Sequence, residues 1–152
     1  MRKFLILLAF AAPLGLTLGL APAAADDDER VATVTDPLTQ KECSACHIAF
    51  PPSMLPAASW SKIMADLSNH FGDDASLPPA DAKAIEAYLT ANAGPDRLAT
   101  DPASPPLRIT ELPWFQKEHN KEVSAAQKQK AGSMANCAAC HRGAANGVFE
   151  DD

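Results

Sequence analysis

Two copies of Cys-x-x-Cys-His constrain this chain more than any other feature of its 152 residues. The first copy runs from Cys43 to His47, the second runs from Cys137 to His141, and together they hold all four cysteines. This motif is the attachment signature of c-type haem. On one helical turn the two thiols lie on the same side, where each can add to a vinyl group of one porphyrin, and the next residue brings an imidazole under the iron. The sequence therefore predicts two covalently bound haem c groups, attached through Cys43, Cys46, Cys137 and Cys140, with His47 and His141 as proximal ligands.

Other uses of paired cysteines fit these motifs less well. Four cysteines in an exported protein can form two disulfides, and a Cys-x-x-Cys pair can be a redox dithiol. A zinc site would need further ligands at matching spacing, whereas the two motifs lie 90 residues apart. Two copies that are both followed by histidine, with no cysteine left over, favour haem attachment.

The N-terminus is typical of an export signal. Arg2 and Lys3 precede an apolar run over residues 4–20, and Ala23, Ala24 and Ala25 offer a peptidase site. Since about 20 apolar residues are needed to span a bilayer, the same run could stay as a short anchor. We expect cleavage before Asp26, which removes residues 1–25 and gives a periplasmic protein without stable membrane insertion.

The mature chain is acidic. Removal of 25 residues from 152 leaves 127 residues, and loss of Arg2 and Lys3 changes the formal charge from −6 to −8. Nucleic-acid binding depends on clustered Lys and Arg, and the sequence has no basic stripe, which argues against general nucleic-acid binding. A redox partner with a basic docking face is compatible with the charge.

The predicted fold is mainly α, with two small helical haem-binding halves and little or no sheet. We assign residues 26–95 to the N-terminal haem-binding domain and 96–152 to a C-terminal haem-binding segment. A proline-rich extended connection over residues 95–113 joins the two halves. Much of the apolar content is alanine, which buries little area per residue. Each haem is therefore expected to act as the core of its half.

Apolar spacing predicts three helices. One begins with Ser59 as its N-cap, continues through Phe71, and ends with Gly72 in a left-handed conformation. The second runs from Pro78 or Pro79 to Ala93, and the third begins near Pro113. The prolines around the first motif predict an irregular loop over residues 35–56.

Two histidines remain for the distal side of two irons. His70 and His119 both lie in amphipathic segments rich in aromatic residues. We predict that His47 pairs with His70 and that His119 pairs with His141, although crossed pairing between the halves is left open. Methionine is the main alternative ligand, with candidates at Met64 and Met134, whereas Met54 lies in the proline-rich loop.

The sequence resembles the small dihaem cytochrome c family. The likeness is carried by CSACH, FPPSMLP, SW, IM and HFGDDASL within residues 43–77, and by LPWFQKEH and CAACH in the C-terminal half. The resemblance implies low-spin bis-histidine haems of low potential and a role as a soluble electron donor. It also implies two partners, a membrane-bound b-type cytochrome as donor and a small oxygen-binding c-type haem protein as acceptor.

The predicted function is transfer of single electrons between redox partners, without enzymatic activity. The alternative is a dihaem enzyme or reductase subunit, such as a peroxidase or a nitrate or nitrite reductase component. Such an enzyme needs an iron with a vacant or weakly held position. The four histidines of the chain are all used when each iron takes two.

Overall fold

The computed structural model of the protein describes residues 30–99, 101 and 103–150. The predicted signal peptide lies outside these residues. Five α-helices form in the described part: α1 (Pro37–Cys43), α2 (Ala57–Met64), α3 (Pro79–Ala91), α4 (Pro113–Glu122) and α5 (Ala125–Ala131). Within the same residues no strand forms, and extended pairing is limited to isolated bridges. The predicted mainly α fold is confirmed.

Two of the three predicted helices are found where they were expected. Helix α3 begins at Pro79 and ends at Ala91, and α4 begins at Pro113, each with proline in its first turn. Proline suits this position because its fixed φ is helical and its missing N–H would have no partner there. Since α4 carries His119 and ends at Glu122, it fixes the direction in which the imidazole predicted as the second distal ligand points.

The first predicted helix is shorter than expected, and its predicted caps are wrong. Helix α2 begins one residue after its N-cap Pro56, so Ser59 lies inside the helix, fully buried. The helix ends at Met64, and a 3-10 turn over Leu67–Asn69 follows. Gly72 has φ +110°, but it lies beyond this turn and caps no helix.

Two short helices are not among the predicted ones, and both have local start signals. Helix α1 begins after Asp36, whose carboxylate accepts hydrogen bonds from the backbone N–H and the hydroxyl of Thr39 at 2.8 and 2.7 Å. Helix α5 begins with a capping box formed by Ser124 and Gln127. Cys43 is the last residue of α1, so the helix that begins after Asp36 positions the first cysteine of the motif.

One apolar cluster draws on both halves of the chain. Its buried members are Leu55, Trp60, Ile85, Leu89, Leu112 and Phe115. The indole N–H of Trp60 donates a hydrogen bond of 2.8 Å to the carbonyl of Pro52, so the one buried polar atom of that ring is paired. Leu112 and Phe115 bring the start of α4 against the packed pair of helices α2 and α3.

The two ends of the described chain meet. The N–H of Val31 donates to the carbonyl of Gly147 at 2.8 Å, and Arg30 pairs with Val148 in an antiparallel bridge. Gly147 has φ +75°, and a Cβ atom at this position would overlap the carbonyl of Val31. The predicted boundary between residues 95 and 96 stays a prediction. Among the described residues, no helix combines the length and apolar character needed to cross a membrane.

Candidate haem sites

The first Cys-x-x-Cys-His motif begins at the C-terminal end of α1. Cys43 is the last residue of that helix and is partly buried, whereas Cys46 is exposed on the following turn. The N–H of Ser44 donates to the carbonyl of Gln40 at 3.2 Å, which extends the helical winding into the motif. The two thiols are therefore presented from a helical turn, as attachment to one porphyrin requires.

His47 lies opposite His70. Their ring centres are 6.2 Å apart and their planes differ by 24°. Two imidazoles on opposite sides of one metal ion, each bonded through a nitrogen at about 2 Å, have ring centres about 6 Å apart. The spacing and near-parallel planes thus fit two ligands on the axis of one haem iron.

The orientation of His47 is fixed by its neighbours. Its Nδ1–H donates to the carbonyl of Ile48 at 2.7 Å, and its ring stacks on Phe50 with centres 4.8 Å apart. Because Nδ1 carries the hydrogen-bonding proton, Nε2 is the nitrogen left to bind a metal.

His70 is held differently, in a tight turn. Its N–H donates to the carbonyl of Asp73 at 2.7 Å, and the N–H of Asp73 donates back at 3.2 Å. Phe71 has φ +58°, a conformation that is unusual for a bulky residue, and its ring meets His70 edge-on at 4.8 Å. Among the described residues, none forms a hydrogen bond with the His70 ring, so packing and the turn hold this imidazole.

The surroundings of His70 lower the pKa of its imidazole. Burial is the largest cause, and the His47 ring and the Arg108 guanidinium add to it, while Asp73 acts in the opposite direction. The neutral form, which is the form that binds iron, is therefore favoured at this position.

The second motif forms a 3-10 turn over Cys137–Ala139. The N–H groups of Cys140 and His141 both donate to the carbonyl of Cys137, at 3.2 and 2.8 Å. As in the first motif, the leading cysteine is partly buried and the second is exposed. The two motifs thus present their thiols in the same order of exposure.

His141 lies opposite His119, with ring centres 6.1 Å apart and planes crossing at 77°. The Nδ1–H of His119 donates to the carbonyl of Phe115 at 3.0 Å, and the two rings stack at 3.8 Å with planes 7° apart. The Nδ1–H of His141 donates to the carbonyl of Glu150 at 3.1 Å. Both imidazoles therefore have Nε2 available, again at the separation expected for two ligands of one iron.

The cysteines do not have the electrostatic character of a redox dithiol. All four lie in the described part of the chain, and no disulfide joins any two of them. Burial raises the pKa of Cys43, with a further rise from the Glu42 carboxylate, and burial likewise raises the pKa of Cys137. Reactive dithiols depend on a lowered thiol pKa, so the direction at both leading cysteines argues against that chemistry.

The candidate methionine ligands lie in different surroundings. Met64 and Met134 pack against the apolar cluster, and Met54 lies at the end of a 3-10 turn in the proline-rich loop. Packing in the cluster gives Met64 and Met134 a structural role.

The structure brings together the histidines that the sequence singles out, and it adds groups that the sequence did not reveal. These additional groups are the carbonyls of Ile48, Phe115 and Glu150 and the rings of Phe50 and Phe149, the last 5.8 Å from His141. A carbonyl has no sequence signature, because every residue has one. The readable signal was an aromatic residue downstream of each motif, with Phe50 three positions after His47 and Phe149 eight positions after His141.

Comparison with known proteins agrees with this geometry. The family model described as dihaem cytochrome c matches residues 39–149. The chain belongs to the dihaem cytochrome c family. Membership of this family confirms two covalently bound haem c groups, electron transfer as the function, and redox proteins as the partners.

Solved structures from two organisms are similar to the chain. A diheme cytochrome c from Rhodobacter sphaeroides is 55% identical, with a TM-score of 0.73, over 77% of this chain and 98% of that chain. A crystal structure of DHC purified from the same organism is 57% identical, with a TM-score of 0.70, over 78% of this chain and 100% of that chain. A diheme cytochrome c from Shewanella baltica OS155 is 36% identical, with a TM-score of 0.65, over 75% and 86%. No significant match was found among curated proteins.

Proposed function

We propose that this protein is an exported electron carrier in which each haem is held by two thioethers and two imidazoles. The N-terminal haem is attached to Cys43 and Cys46 and ligated by His47 and His70. The C-terminal haem is attached to Cys137 and Cys140 and ligated by His141 and His119.

The observation that carries this proposal is the pairing of the imidazoles. His47 and His70 lie 6.2 Å apart, and His119 and His141 lie 6.1 Å apart. Both separations match two ligands on one metal, and both pairs are local in sequence. They support local pairing over the crossed arrangement.

Each bound haem supplies an iron that accepts and releases one electron. The protein keeps the ligand geometry constant during this change. Backbone carbonyls orient three of the four imidazoles, and Phe115 and Phe50 restrict the rotation of the rings that they stack on. A ligand set that does not move between oxidation states favours rapid outer-sphere transfer.

Two imidazoles held at each iron would leave no position for a substrate. This supports a carrier rather than a peroxidase or a nitrate or nitrite reductase component, because those reactions need substrate or peroxide to bind the iron. Imidazole pairs also stabilise ferric iron relative to a thioether ligand, so we expect potentials on the low side.

The partners and location follow from sequence and charge. Cleavage before Asp26 would release an acidic periplasmic protein with a formal charge of −8. We propose a membrane-bound b-type cytochrome as donor and a small oxygen-binding c-type haem protein as acceptor. N-terminal sequencing of the protein from a periplasmic fraction tests the cleavage, and a fall in the rate of acceptor reduction as salt is added tests electrostatic docking.

Replacement of the distal histidines tests the ligand set. His70→Ala should convert the haem on Cys43 and Cys46 from low-spin to high-spin and let it bind carbon monoxide, and His119→Ala should do the same at the other haem. Each single variant should change half of the haem absorbance.

Methionine variants provide the matched control. Met64→Leu and Met134→Leu conserve apolar volume, so both haems should stay low-spin. A high-spin signal in either methionine variant, or a low-spin spectrum retained by His70→Ala, would contradict the proposal.

A further inference from the structure

Arg108 comes from the connection between the halves, yet its side chain lies at the N-terminal haem site. Its guanidinium carbon lies 4.0 Å from the centre of the Phe71 ring, well within the range of a cation–π interaction. Phe71 in turn contacts His70 edge-on. A residue that lies outside the predicted N-terminal haem-binding domain therefore reaches the surroundings of the distal ligand proposed for that haem.

Phe71 combines this contact with two unusual features. The residue has a left-handed backbone conformation and leaves 43% of its surface exposed, although it is a large apolar residue. Arg108 covers one face of the ring, and its planar cation suits an aromatic face better than water-exposed lysine does. The pair thus stabilises the turn that presents His70.

The charge of Arg108 lies near His70, because the Phe71 ring that Arg108 covers at 4.0 Å contacts the His70 ring with centres 4.8 Å apart. Ferric iron carries one more positive charge than ferrous iron, so a fixed positive charge near its ligand disfavours the ferric state. The Glu111 carboxylate lies 3.7 Å from the Nε of Arg108, and its negative charge opposes this effect. Arg108, Glu111 and Lys62 line one surface cavity, and the positive charge of Lys62 adds to the effect of Arg108. The side chain of Arg108 is 45% exposed, which limits the size of the effect through solvent screening.

On the basis of the ligand set proposed above, we propose that Arg108 is a positioning residue that raises the reduction potential of the N-terminal haem. It acts through its charge and through Phe71, and it does not touch the C-terminal site. Removing the charge should make the N-terminal haem harder to reduce and leave the other haem unchanged.

The test is an electrochemical titration of the protein with both haems bound, followed by electron paramagnetic resonance. The haems can be told apart because their imidazole planes differ by 24° and 77°. Arg108→Gln should lower the potential of only the haem with near-parallel planes. An exposed charge interaction is worth up to about 1 kcal/mol, so the ferric-to-ferrous equilibrium should change roughly two- to fivefold.

Three further variants separate charge from structure. Arg108→Lys retains the charge and should retain most of the potential. Glu111→Gln removes the opposing charge and should shift the same potential upward. Arg97→Gln removes an exposed arginine elsewhere in the connection and should shift neither potential.

The outcomes distinguish this proposal from the one on which it rests. If the unaltered protein has a high-spin N-terminal haem, the ligand set is wrong. If both haems are low-spin but Arg108→Gln shifts neither potential, shifts both equally, or shifts only the C-terminal one, the role of Arg108 is wrong. If Arg108→Gln fails to bind haem, an unchanged potential in Glu111→Gln overturns the proposal.

Discussion

The imidazole planes of His119 and His141 cross at 77°, whereas those of His47 and His70 differ by only 24°. The difference arises from what holds each ring. His119 is stacked on Phe115 and hydrogen-bonded to the carbonyl of the same residue, so the orientation of its ring follows α4. His70 lies in a tight turn whose shape brings its plane close to that of His47.

We predict that the oxidised protein gives two distinct low-spin electron paramagnetic resonance signals. Near-parallel imidazoles split the iron d orbitals and give a rhombic signal, whereas near-perpendicular imidazoles leave two of these orbitals almost equal in energy and give one large g value. The rhombic signal should disappear in His70→Ala and persist in His119→Ala. Two identical signals would contradict the geometry of one of the two pairs.

A second prediction concerns the meeting of the chain ends. Gly147→Ala should destabilise the protein, because the added Cβ would overlap the Val31 carbonyl in addition to imposing a strained φ of +75°. The displaced segment includes Glu150, whose carbonyl orients His141. The measurement is the free energy of unfolding in denaturant, together with the spectrum of the C-terminal haem.

Gly132→Ala is the matched control for this clash. Gly132 has nearly the same φ, +73°, but a Cβ there would meet nothing within 4 Å. It should cost about 1–2 kcal/mol from backbone strain alone, and Gly147→Ala should cost clearly more and change the haem spectrum. Equal costs would show that the contact with Val31 has no energetic role.

The sequence was most informative where local chemistry decides the structure. Proline in the first turn correctly predicted the starts of α3 and α4. The apolar spacing that predicted a helix through Phe71 continues along the chain, but the backbone leaves the helix after Met64. Of these apolar residues, Trp60 is buried in the cluster, whereas Phe71 is 43% exposed. Helical periodicity in the sequence alone therefore does not indicate where the backbone leaves the helix and turns to place His70.

Tertiary contacts set the limit of what the sequence could reveal. The starts of α1 and α5 had readable signals in Asp36 followed by proline and in the Ser124–Gln127 capping box. By contrast, Arg108 at the N-terminal site and the carbonyl of Glu150 at the C-terminal site become visible only when distant segments are brought together.

A third prediction concerns pH. Hydrogen bonds from Thr39 lower the pKa of Asp36 below its ordinary value of 3.8. A carboxylate with a lowered folded-state pKa stabilises the fold fully above its unfolded pKa, about 3.9, and this contribution is lost as pH falls through the folded-state pKa. Asp36→Ala should therefore lower the melting temperature at neutral pH, and its difference from the unaltered protein should shrink below about pH 4.

Asp36→Asn separates the cap from its charge. The amide oxygen can still accept from Thr39, so most of the stability at neutral pH should remain, without the acid-dependent part. The prediction fails if the melting temperatures of Asp36→Ala and the unaltered protein differ by the same amount at neutral and acid pH.

The last prediction concerns the stack of Phe115 on His119. Phe115 is buried in the apolar cluster and its ring lies 3.8 Å from the imidazole, so Phe115→Leu removes both packing and the restriction on ring rotation. We expect a loss of about 1–3 kcal/mol in unfolding free energy, and a change in the large-g signal of the C-terminal haem with the rhombic signal unchanged. Trp114→Leu is the control, because Trp114 is its exposed neighbour on the same helix and should leave both signals in place. If Phe115→Leu keeps the large-g signal while losing stability, the hydrogen bond from His119 to the backbone is sufficient to orient the ring, and the stack contributes only to packing.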